Sequence, residues 1–202
     1  MTRMRRNNAE RVSMFSKLMS FFLPTSMLLL AALGLSACSD STNTKPAEST
    51  AVIPASFFLA ERPDNVPMLR EVKASTAVGD SVRFEARVGG RAKPFVDGLA
   101  IFLSADPRLI SCDQREGDGC PVPHDYCCED SQSLQDGTAT VQLVDSEGKP
   151  FPINAQGQGG IEALKTIVVE GIVSEKADDG VFVVNATHVW VGSIPAAPPS
   201  EG

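Results

Sequence analysis

From Val78 onward the chain falls into short stretches in which apolar and polar side chains alternate. Val82, Phe84, Ala86 and Val88 take every second place, with Ser81, Arg83, Glu85 and Arg87 between them. A period of two is that of a strand with one buried face, and it predicts Arg87 on the solvent side. Residues 99–105, 138–144, 166–173 and 181–191 predict four further strands. Gly89-Gly90 allows a sharp bend. Asp145-Ser146-Glu147-Gly148 reads as a turn, and Ala177-Asp178-Asp179-Gly180 as a hairpin turn of the Asp-Gly kind. Helical signals are few: one short helix over 68–74 and one helical turn over 161–164. Five short strands with a helical turn between the third and fourth predict an all-β, five-stranded OB-like barrel over residues 66–192. A long insertion separates strands two and three.

The start of the chain follows a different pattern. Arg3, Arg5, Arg6, Arg11 and Lys17 form a basic stretch, and an apolar run follows from Phe21 to Gly34, broken by Pro24, Thr25 and Ser26. It ends in Leu35-Ser36-Ala37-Cys38. A basic start, an apolar core and small residues before a cut site make a secretory signal, here residues 1–37. The run is short for a membrane span, which needs about 20 apolar residues. Leu-Ser-Ala-Cys resembles the lipobox of bacterial lipoproteins. The resemblance implies cleavage before Cys38 and lipid on that residue. Ser39 in the next place implies, by the sorting rule of such lipoproteins, the outer membrane facing the periplasm. Residues 39–50 are polar with no apolar period and read as a flexible tether. Val52, Ile53, Phe57, Phe58 and Leu59 follow as an apolar arm, so 38–65 is tether and arm. The tail over 193–202 is rich in proline and reads as loose.

Charge narrows the partners. Of 18 Lys and Arg and 25 Asp and Glu, five and one fall before Cys38, so the remainder carries 13 basic and 24 acidic side chains, a net charge of −11. A surface of that sign disfavours nucleic acid and anionic lipid. It suits cations or a basic protein. The expected partners are the membrane, through lipid on Cys38, and a protein, glycan or small ligand.

The insertion holds the candidate chemistry. Residues 112–128 contain four of the five cysteines and one of the two histidines. Outside the cytoplasm an even number of cysteines predicts two disulfides. Cys127 and Cys128 are neighbours and a ring between them is strained, so each is expected to pair outward with Cys112 or Cys120. Such staples would order a loop with little core of its own. The alternative is a metal site: Cys120, His124, Cys127 and Cys128 are soft ligands that suit Zn(II) or Cu(I). No Cys-x-x-Cys spacing is present. Thiol redox chemistry usually needs that spacing at a helix start, and neither feature occurs. Asp113, Glu116, Asp118, Asp125, Glu129 and Asp130 offer oxygen ligands for Ca²⁺ but lack the Asp-x-Asp-x-Asp-Gly spacing, so a solvated acidic loop is expected. His188 alternates within the fifth strand, and Trp190 is expected to pack on the barrel.

Two resemblances follow from these residues. Gly79 to Val88 is similar to the first strand of many bacterial OB-fold domains, and Val168-Val169-Glu170-Gly171-Ile172-Val173 and Val183 to Val189 to their closing strands. The layout as a whole resembles cysteine-rich bacterial lipoproteins that carry a Gly-Asp-Gly-Cys-Pro…Asp-Tyr-Cys-Cys segment, a likeness that implies no assigned activity. Residues matching a nucleophile elbow, a P-loop or a His-Glu-x-x-His helix do not occur, and no cofactor is implied. The reading is a membrane-anchored, non-enzymatic binding or scaffold module. Its alternative is a metal-binding or thiol-redox protein working through residues 112–128.

Overall fold

The alternating stretches become five strands: β1 (Ser81–Val88), β2 (Ile101–Ala105), β3 (Thr138–Leu143), β4 (Thr166–Lys176) and β5 (Phe182–Val191). The structure is a computed structural model and describes residues 52–115, 117 and 119–195. The expected signal, Cys38, the tether and the end of the tail lie outside the described residues. The strands close into a barrel in the order β1-β2-β3-β5-β4. All neighbours are antiparallel except β3 and β5, where Val141 stands beside Val184. This order, closed by β4 against β1, is that of an OB-type barrel.

Register explains the core. Phe84 faces Val169 across β1 and β4, Val169 faces Val189 across β4 and β5, and Phe102 faces Val141 across β2 and β3. All five of these side chains are fully buried. Inward positions of a small barrel fill its interior. The β1–β2 seam is the shortest, with only Arg87 opposite Ala105 and Val88 opposite Ser104. Gly171 lies where β4 and β5 shift register, and a Cβ there would stand 2.3 Å from the Asn185 carbonyl oxygen.

The helices differ from expectation in part. The helix expected over 68–74 is α1 (Leu69–Ser75). The helical turn expected at 161–164 is not formed. A 3₁₀ turn occupies Gln158–Gly160 instead, and Leu164 takes φ 71°. Ile161 is buried in the core, which sets the chain's direction there. A second helix, α2 (Ser131–Gly137), was not expected. Asp130 caps it, its carboxylate accepting the Ser133 amide at 2.9 Å, and such a cap satisfies an amide that has no partner within the helix. The arm ahead of the barrel is part of the core. Ile53 and Phe57 are buried in it, and the Leu59 amide donates to the Val189 carbonyl at 2.9 Å.

Two buried charges tie the helices to the barrel. Lys73 of α1 donates to the carbonyls of Gln135, Thr138 and Gly180 at 2.5, 2.8 and 2.6 Å. Burial pulls its pKa down to about 8, against the opposing pull of Asp136. Asp106, the first residue past β2, is fully buried. It accepts the Arg70 amide at 2.7 Å, and the Arg108 amide and Nε at 3.0 and 2.9 Å. Its own amide donates to Gly137 of α2 at 2.7 Å. Burial works against the charge of Asp106, but the Arg108 guanidinium and the two amides outweigh it, and the carboxyl sits below its ordinary value of 3.8. A carboxylate with a depressed folded pKa stabilises the fold above its unfolded value, and that contribution is lost as pH falls through the folded one. Asp106→Asn is expected to lower stability at neutral pH by about 1–2 kcal/mol. It is also expected to flatten the acid limb of a Tm-against-pH curve below pH 4. An unchanged acid limb would contradict the role given to this carboxylate.

Candidate functional site

The insertion between β2 and β3 leaves the barrel at Asp106 and returns through α2. It has a small core of its own, in which Leu109, Tyr126 and Ala105 pack together with Leu134 beside them. Its shape is fixed by a residue of the barrel. Arg87 was expected to face solvent, yet it is one of the most deeply buried side chains, at 2 % exposure. The alternation rule fails here because the insertion covers the outer face of β1 at its end, while Ser81 and Arg83 on the same face stay exposed. The Arg87 guanidinium donates to the Leu164 carbonyl at 3.1 Å, to the Ser111 hydroxyl at 2.5 Å and to the Asp113 carboxylate at 2.6 Å. Burying a cation costs several kcal/mol unless such partners meet it.

Around this anchor the loop closes on itself. Ser111 opens a 3₁₀ turn at Cys112–Gln114 with a reciprocal cap from Gln114, and its hydroxyl also meets Asp113. The amides of Cys112 and Asp113 donate to the carbonyls of Asp125 and Pro123, each at 2.9 Å. Glu129 accepts from Arg115 at 2.8 Å and from the Ile110 amide at 3.1 Å. Gly89 lets the returning strand approach, since a Cβ there would meet the His124 carbonyl oxygen at 2.8 Å and the Tyr126 ring at 3.2 Å. The Tyr126 hydroxyl is buried beside Ser111 and Arg87. Burial pushes its phenol up to about 12, against the opposing pull of Arg87.

This folding draws three sulfurs together. The ligand atoms of Cys112, Cys120 and Cys127 all lie within 4.8 Å of one another. Cys127 Sγ is 3.5 Å from Cys112 Sγ, 3.8 Å from Cys120 Sγ and 3.9 Å from Cys128 Sγ. Cys112 is buried, Cys120 half-buried, and Cys127 and Cys128 exposed. These separations are not those of disulfides, whose sulfurs are about 2.0 Å apart, so the expected staple is not formed in this structure. Nor does the expected metal set assemble as a whole. His124 turns away from the sulfurs, its Nε2 3.2 Å from the Ala92 carbonyl oxygen. Cys112 stands in its place.

The acidic residues are structural where they are described. Asp113 meets Arg87, Glu129 meets Arg115, Asp130 caps α2, and Asp125 accepts the Tyr126 amide at 2.8 Å. Asp113 and Asp130 make these bonds while remaining exposed, in keeping with a solvated acidic loop, Asp125 and Glu129 are half-buried, and Glu116 and Asp118 lie outside the described residues. His188 sits 3.9 Å from Glu170 on the far strands of the barrel, and Trp190 stacks under the Arg62 guanidinium at 5.9 Å. Burial pushes the Cys112 thiol up, and the neighbouring thiols of Cys120 and Cys127 add to it. Contact with Cys112 lowers the Cys127 thiol, but Cys120 and Cys128 outweigh it, so this pKa is raised too. Raised thiols keep their protons at neutral pH, which is the reverse of an activated redox cysteine.

Arg87→Met is expected to destabilise the fold by about 3 kcal/mol, since it leaves Asp113 and Ser111 without their buried partner. Hydrogen exchange should locate the loss: the Cys112 and Asp113 amides exchange faster, while β4 and β5 amides keep their relative protection. Uniform loss across barrel and loop would contradict the anchoring role.

No protein-family model matches the chain. No curated protein matches it either. Among solved structures it is similar to an aspartyl tRNA synthetase from Entamoeba histolytica, at 13 % identity and a TM-score of 0.40, over 73 % of this chain and 27 % of that one. The chain thus spans about a quarter of the length of that protein.

Proposed function

We propose that this chain is a lipid-tethered, non-enzymatic binding module of the bacterial envelope, attached through Cys38 to the outer membrane and facing the periplasm. Its working surface is the cysteine loop over 106–130. One observation carries the second half of this reading: the barrel buries a cation, Arg87, whose partners Ser111 and Asp113 belong to the exposed loop. The barrel interior is filled by its own side chains, so the surface it holds in a fixed shape is the one offered to a ligand. A rigid loop binds without the entropy cost of ordering on contact. The first half rests on the sequence, where a basic stretch, an apolar run and Leu35-Ser36-Ala37-Cys38 stand in the order of a lipoprotein signal. Lipid chains contribute about 0.8 kcal/mol per buried methylene, and two or more make a stable anchor. The net negative charge favours a protein, glycan or cation over nucleic acid.

Expression of the full chain in a Gram-negative host tests the anchor. The unaltered chain is expected to take up labelled fatty acid and to band with the outer membrane on a density gradient. Cys38→Ser should lose the label and leave the outer-membrane fraction. A Cys38→Ser chain that still bands there, or an unaltered chain without label, would overturn the lipid tether.

A further inference from the structure

We propose that Cys112, Cys120 and Cys127 form a binding site for a thiophilic d¹⁰ metal ion, Zn(II) or Cu(I). The proposal names the ligand class of the loop and rests on the reading of that loop as the working surface.

Geometry carries it. A tetrahedral zinc with Zn–S bonds of 2.3 Å sets its sulfurs about 3.8 Å apart. Cys127 Sγ stands 3.5, 3.8 and 3.9 Å from the sulfurs of Cys112, Cys120 and Cys128. Two thiols reach such a spacing by packing alone. Here the three of Cys112, Cys120 and Cys127 converge from separate turns of the loop onto one point, all within 4.8 Å of one another. The backbone that brings them there is held by bonds that involve no sulfur: Cys112 to Asp125, Asp113 to Pro123, and Arg87 to Ser111 and Asp113. Cys112 and the segment that carries Cys127 are therefore placed before any ion arrives, and Cys120 Sγ rests 3.6 Å from the Val122 carbonyl oxygen.

Chemistry selects the ion. All donors are sulfur, which favours soft ions and excludes Ca²⁺ and Mg²⁺. Asp113 and Glu129 are engaged by Arg87 and Arg115. The site opens on the side of the exposed Cys127 and Cys128 and closes on the buried Cys112. Binding breaks one S–H bond for each metal–sulfur bond that forms, and each proton passes to water, with no oxidant or reductant required. Three thiolates leave a zinc site one ligand short, a place that a water can take.

The test uses the full chain in detergent with a phosphine reductant, stripped of metal and titrated with Zn(II) or Cu(I) alone. Native mass spectrometry is expected to show one ion per chain, with one proton lost for each sulfur bound. Co(II) as a spectroscopic substitute should give the intense near-ultraviolet absorption of cobalt–thiolate bonds. Cys112→Ser, Cys120→Ser and Cys127→Ser are each expected to weaken binding by about 100-fold or more, above the loss seen when an outer-shell partner is removed. His124→Ala should leave affinity unchanged. Zn(II) should also protect Cys127 of the unaltered chain from alkylation, a readout that does not depend on how a variant folds.

Failure of the reduced chain to hold an ion would overturn the proposal, as would undiminished binding by Cys112→Ser. So would a chain isolated from the envelope free of metal and four hydrogens lighter than its thiol form, because the sulfurs are then a two-disulfide staple. None of these results touches the tethered-module reading, which fails separately in the Cys38→Ser fractionation.

Discussion

The buried Arg87 guanidinium ties the first turn of the insertion to the barrel, beside the Asp106 and Lys73 bonds that hold its end. Arg87 stands where β1 leaves β4 and meets β2, opposite Thr166 on one side and Ala105 on the other. From there it reaches the Leu164 carbonyl at the entry to β4 and Ser111 and Asp113 of the insertion. The seam it occupies is the weakest of the barrel in backbone pairs, with two. Charge-assisted bonds at low dielectric do there what ladder hydrogen bonds do elsewhere. An acidic insertion would otherwise have little reason to lie against the sheet. Its own apolar contribution is Leu109 and Tyr126, with Leu134 at the edge.

The barrel was legible because its information is local. β1 announces itself by a period of two and β2 and β4 by short apolar runs, and the turns between β4 and β5 and after β3 carry their glycines and aspartates where the backbone needs them. Closure follows from phase: the apolar members of each strand meet apolar partners in register, as Phe84 meets Val169. Arg87 was misjudged because alternation reports only which face of the strand a residue lies on, not what covers that face. The covering residues lie more than twenty positions further along. The helix α2 was legible in principle. Asp130 is a favoured N-cap residue, but the polar stretch around it hid the apolar face, which is little more than Leu134.

The candidate site shows the same division between near and far. Sequence spacing favoured His124 as a ligand, because it lies between Cys120 and Cys127. Space favours Cys112, which the amide-to-carbonyl bond with Asp125 brings beside Cys127 across fifteen positions. The same bonds turn His124 toward Ala92 on the loop after β1. Cysteine count and compartment spoke for disulfides. In the structure the sulfurs of Cys112, Cys120 and Cys128 stand 3.5, 3.8 and 3.9 Å from that of Cys127.

What the loop can bind follows from how its charges are used. Of the described carboxylates, Asp113 neutralises Arg87, Glu129 holds Arg115 and Asp130 caps α2. They cannot serve a hard cation without releasing the loop they hold. The sulfurs of Cys112 and Cys127 touch other sulfurs, and they run from the buried Cys112 to the exposed Cys127. On the proposed metal reading, an ion arriving from solvent would meet the exposed Cys127 first and the buried Cys112 last. The negative field of the chain raises the local concentration of cations near such a mouth, while the all-sulfur donor set decides which of them stays.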